Sequence, residues 1–103
     1  MDSCTVYERN WEIDGKPASK SISISYTSEW NVKIMEYLTG DDLEKAYGDW
    51  DHEEWIIVKR LDAPKLMNIL FCYAFNQTEK LTLGGLIALL DEAKIDYEHD
   101  MWA

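Results

Sequence analysis

The chain is poor in proline, cysteine and glycine, with two, two and five of them in 103 residues, and it carries 10 basic side chains against 20 acidic ones. So little Pro and Gly leaves no stretch that reads as a linker, and the chain is expected to form a single domain, 1–103. Cys4 and Cys72 are far apart and outside any CxxC spacing, which argues against a disulfide framework or a thiolate metal site. They read as free thiols in a reducing compartment, with Cys72, inside an apolar run, as a small core hydrophobe. No run approaches the roughly 18 apolar residues of a membrane span. The opening "MDSCTVYERN" has no basic segment followed by an apolar one. Membrane insertion and secretion are therefore disfavoured, and a cytoplasmic location is expected.

The shortage of Lys and Arg leaves a formal charge of -10. Phosphates would be repelled, so direct binding to nucleic acid or to an anionic membrane is not expected. Catalytic signatures are missing too: there is no HExxH, no GxSxG and no Walker loop. The expectation is a protein that is not an enzyme, with no cofactor, no metal and no small-molecule substrate.

What is present is a folded composition, 47% hydrophobic with five Trp and six Tyr. The period of the pattern changes once. Up to about residue 60 it is 2, and from about residue 62 it is helical, a strand block followed by a helix block, which reads as α+β. In "CTVYERNWEI" Tyr7, Trp11 and Ile13 share one face with Arg9, and "DGK" supplies a hairpin turn. "SKSISISYTS" sets Ser19, Ser21, Ser23 and Ser25 against Ile22, Ile24 and Tyr26, a solvated face opposite a core face. "WNVKIMEYL" puts Trp30, Val32 and Ile34 inward, and "HEEWIIVKRL" is a fourth strand with Trp55 assigned to the core. Short connections make an antiparallel meander of about four strands the simplest topology.

Asp62 is a candidate N-cap and Pro64 suits a first helical turn, so "PKLMNILFCYAFN" is predicted helical. It is apolar around most of its circumference, and burial is expected. A second helix, capped by Thr78 or Thr82, carries the stripe Leu83, Leu86, Ile87 and Leu90. Gly84 and Gly85 in its first turn suggest a close approach to the preceding helix. The tail "KIDYEHDMWA" returns to period 2 as a short C-terminal strand, with Asp96, Glu98 and Asp100 as an outward carboxylate row.

The acidity is localised. Nine acidic residues against three basic ones lie between Glu36 and Asp62, and five against one between Asp91 and Asp100, which accounts for the whole excess. "YGDWDHEEW" is the densest stretch. As a calcium loop "DWDHEEWIIVKR" offers Asp49, Asp51 and Glu53 at alternating positions, but Glu54 stands where Gly belongs and Arg60 at the last ligand position, so that reading fails. His52 and His99 become zinc ligands only if the fold joins them with a carboxylate. Aromatics beside carboxylates match the anchors of protein interfaces. The partner-binding candidates, from charge alone, are Asp49, Trp50, Asp51, Glu53, Glu54, Asp96, Glu98 and Asp100, facing a basic protein.

From residue 47 to residue 102, "YGDWDHEEWIIVKRLDAPKLMNIL" and then "LLDEAKIDYEHDMW" order an acidic turn, a short strand with Glu54, a Leu-rich helix and an acidic tail. This half of the chain resembles small bacterial immunity proteins of polymorphic toxin systems, including contact-dependent growth inhibition. The resemblance implies a protein that binds a cognate toxin domain in the cytoplasm and blocks it. Many such toxins are nucleases with basic clefts, which carboxylates would fill. Two rivals use the same residues: a nucleic-acid mimic inhibiting a defence or restriction nuclease, as phage proteins do, and a small metal-dependent enzyme using Asp49 and Asp51.

Overall fold

The computed structural model describes residues 3–13, 15–40, 51–76 and 82–102. Strands β1 (Cys4–Ile13), β2 (Lys16–Tyr26), β3 (Val32–Thr39) and β4 (Asp51–Val58) come first. A 3-10 turn (Arg60–Asp62), helices α1 (Ala63–Asn76) and α2 (Leu83–Glu92), and strand β5 (Tyr97–Trp102) follow. The strands lie in the sheet in chain order, and each neighbouring pair is antiparallel. The expected α+β meander, with two helices before a C-terminal strand, is what the chain forms.

The hairpin turns follow from local chemistry. Ile13 pairs with Lys16, leaving a two-residue loop in which Gly15 takes φ 79°, open to a residue without Cβ. Gly40, at φ 146°, ends β3 where a Cβ would meet the Ala18 Cβ at 3.0 Å. Between β2 and β3, Trp30 N–H donates to the Thr27 carbonyl at 2.9 Å and Thr27 N–H to the Asn31 carbonyl at 2.9 Å. Those bonds put Trp30 in the turn at φ 65° rather than in β3. It is 57% exposed, not inward as its place in the sequence pattern suggested, and its ring lies 6.0 Å from that of Tyr26.

Both helices pack on one face of the sheet. Ile22, Val32, Ile34, Ile56 and Val58 from the strands meet Leu66 of α1 and Leu83, Leu86 and Leu90 of α2. Each such side chain contributes about 1.5–3 kcal/mol by leaving water. α2 starts where the Thr82 hydroxyl accepts from Gly85 N–H at 2.9 Å. Space around Gly84 is open and Gly85 faces its own cap, so these glycines serve the turn and not a close helix pair. At the other end Lys94 takes φ 58°, Lys94 N–H bonds the Asp91 carbonyl at 3.2 Å and Ile95 N–H the Leu90 carbonyl at 3.0 Å. This is a Schellman ending, closed by the buried pair Leu90 and Ile95, and it feeds the chain into β5.

α1 departs from its expected burial. Leu66 is buried and Ile69 and Leu70 pack beside the core, but Met67 and Phe71 are 48% and 56% exposed. Cys72 is exposed as well, not a core residue. A helix lying on one layer buries one stripe, and no other described element covers the far side of α1.

Candidate functional site: an open acidic sheet face

Period 2 assigns every strand residue to one of two faces, and the register joins those faces across the sheet. Opposite the helices, β4 presents Asp51, Glu53, Trp55 and Ile57, and β5 presents Glu98, Asp100 and Trp102. β3 adds Lys33, Met35 and Tyr37, β2 the serines, and β1 Glu8 and Glu12. Among the described strand residues this open face carries Glu8, Glu12, Asp51, Glu53, Glu98 and Asp100 against Lys33 alone.

Trp55 stands at the centre of this arrangement. Met35 pairs with it from β3 and Asp100 from β5, and Glu53 and Ile57 flank it along β4. Its assignment to the core is corrected: Ile56 and Val58, of opposite phase, are the residues beneath the helices. The Lys33 ammonium lies 4.8 Å from the centre of the Trp55 ring. Tyr37 donates to Asp51 Oδ2 at 3.2 Å. Among the described residues Glu53, Glu98 and Asp100 join no salt bridge. Among the described residues Asp100 accepts from the neighbouring Met101 N–H, at 2.8 Å.

The carboxylates of the covered face are used differently. Glu36 and Glu54 are cross-strand partners. Glu36 Oε2 takes the Lys20 ammonium at 3.3 Å and also the Leu83 N–H at 3.3 Å, so it neutralises a lysine and caps α2. Glu54 accepts from buried His52 Nε2 at 3.3 Å through one oxygen and from His99 Nε2 at 3.0 Å through the other.

The sequence-derived candidates thus divide. Asp51, Glu53, Glu98 and Asp100 meet on adjacent strands of the open face. Asp96 lies just before β5, beside a recess of about 440 Å³ that Glu29, Ile57, Lys59 and Glu98 also line. Glu54 does not belong with them, because its phase turns it to the opposite face, the one on which the helices pack. Asp49 and Trp50 lie outside the described residues. His52 and His99 do meet around a carboxylate, but as hydrogen-bond partners of Glu54. Among the described residues no group of three or more His, Cys, Asp or Glu is arranged to hold a metal ion. Tyr37, Met35 and Trp102 were not singled out by charge; alternation along β3 and β5 was the signal that could have found them.

No described helix is long and apolar enough to cross a membrane. Compared with known proteins, the chain matches no family model, no curated protein and no solved structure.

Proposed function

We propose that this protein is a binding module, not an enzyme, which neutralises a basic protein through the open face of its sheet. In concrete form it is an immunity protein acting in the cytoplasm on a cognate toxin domain. One observation carries the reading: carboxylates under the helices are each paired internally, whereas Glu53, Glu98 and Asp100 beside Trp55 have no ion pair among the described residues. Unpaired charge of one sign around an aromatic centre speeds encounter with an oppositely charged surface, by about 10- to 1000-fold at low salt. The aromatic centre then supplies apolar contact area.

The test is a titration of the full chain with the basic toxin domain encoded beside its gene, at low and at physiological salt. A tight 1:1 complex that weakens as salt rises is expected, and Glu53→Gln with Asp100→Asn should slow association. No complex at low salt sinks the proposal. Capture of a nuclease encoded elsewhere, with no response to the neighbouring product, would shift the reading to a nucleic-acid mimic.

A further inference from the structure

Lys33 is the one basic side chain that the described strands place on the open face, and its ammonium rests 4.8 Å over the Trp55 ring. Trp55 is therefore a cation site already filled by the chain itself. Asp100 lies directly across from Trp55 on β5, Glu98 lies diagonally, and Glu53 is two residues along β4. Direct cross-strand neighbours sit about 5 Å apart and diagonal ones about 7–8 Å apart, so the three carboxylates surround the ring, and the Lys33 ammonium on it forms a salt bridge with none of them. Lys33 comes from the opposite side, from β3, where it pairs with Ile57 and stands two residues from Met35, the β3 partner of Trp55.

We infer that Lys33 is an internal stand-in for an arginine of the basic partner, and that binding displaces it from Trp55. A guanidinium is the better occupant on two counts: its plane stacks on an indole, and its fork reaches a carboxylate bidentately, which a single ammonium does not. In the free protein Lys33 keeps the Trp55 face from water. On binding it gives up the ring, and Asp100, Glu98 and Glu53 receive the incoming guanidinium. The inference rests on the reading of the open face as the partner surface and adds which side chain of the partner occupies its centre.

The probe is a capped deca-arginine peptide, added to the full chain at physiological salt and followed by NMR of the Trp indole N–H groups and lysine side chains. Trp55 and Lys33 signals should move together with one affinity. Lys33→Ala should tighten binding by about 3- to 10-fold, because it removes the competitor. Lys65→Ala removes the same charge from a side chain 71% exposed on α1 and should change affinity by less than about twofold. Trp55→Ala should weaken binding about 10-fold, and deca-lysine should bind several-fold more weakly than deca-arginine. Equal effects of Lys33→Ala and Lys65→Ala, or equal affinity for the two peptides, would overturn the inference. Binding whose shifts avoid Trp55 overturns it while leaving an acidic partner surface in place, and no binding even at low salt removes both.

Discussion

The two faces of the sheet are built from the same five strands, often from consecutive residues, and they dispose of negative charge in opposite ways. On the covered face Glu36 and Glu54 are enclosed by Lys20, His52, His99 and the start of α2. Glu36 and Glu54 are 14% and 21% exposed, so solvent shields them only in part and a carboxylate without partners would be less favourable there than in open water. On the open face solvent screens the charges, and among the described residues Glu53, Glu98 and Asp100 form no salt bridge with a cation. Internal pairing consumes charge for the fold, and unpaired charge remains available to a partner. The two kinds of acid are adjacent in the sequence, at Glu53 and Glu54, and only the fold separates them.

The sharpest way to break this comparison is to alter neighbours of opposite phase. Ile56 is fully buried beneath the helices, so Ile56→Ala should destabilise by about 2–5 kcal/mol in urea unfolding. Trp55→Ala, one residue away, should cost far less stability and act mainly on binding. Equal losses of stability would mean that the open face is part of the core. The next largest contrast is Glu54→Ala against Glu53→Ala. Losing Glu54 removes one hydrogen-bond partner of His52, which is 1% exposed, and should cost about 1–3 kcal/mol. Losing Glu53 should leave the unfolding midpoint nearly unchanged; a loss matching that of Glu54→Ala would place Glu53 in an internal network.

Much of the fold was legible before the structure because the informative strands have one clean phase. "SISISY" alternates without exception, and "DGK" marks its hairpin. β4 is different: Trp55 and Ile57 are apolar in one phase, Ile56 and Val58 in the other, and acids occur in both. Periodicity cannot choose a covered face there, and size favoured the Trp. What decides is the pairing of Ile34 with Ile56 and of Met35 with Trp55, a tertiary fact. The localisation of charge was readable, but not its division between faces, because Glu53 and Glu54 look alike in sequence. α1 misled for a related reason: apolar residues all round it suggested burial, yet a two-layer fold covers one side.

A smaller effect sharpens how the acidic strand β5 reaches its place. Lys94 sits in the left-handed region at φ 58°, where a side chain costs roughly 1–2 kcal/mol and glycine nothing sterically. Lys94→Gly should raise stability by up to about 1 kcal/mol after the added freedom of the unfolded chain is counted. If it destabilised the protein instead, the Lys94 side chain would hold a contact that matters more than the turn geometry.

The smallest effect belongs to Tyr97, the covered-face residue that ties β5 to α2. Its hydroxyl donates to Asp91 Oδ1 at 2.7 Å. That bond, first, and then partial burial and the charge of Asp91, raise its pKa above the usual 10.0. The folded state thus holds the phenolic proton more tightly than the unfolded chain does. The stability this confers is complete below the unfolded value and is lost as pH rises through the folded one. Tyr97→Phe should therefore have a lower urea midpoint than the parent protein at pH 8, and the gap should narrow as pH rises beyond 10. Because the other tyrosines ionise in both proteins, the difference between the two midpoints isolates this group. A gap independent of pH would show that the hydroxyl does not anchor β5 to the helix layer, leaving strand pairing with β4 and the turn at Lys94 to hold the acidic edge.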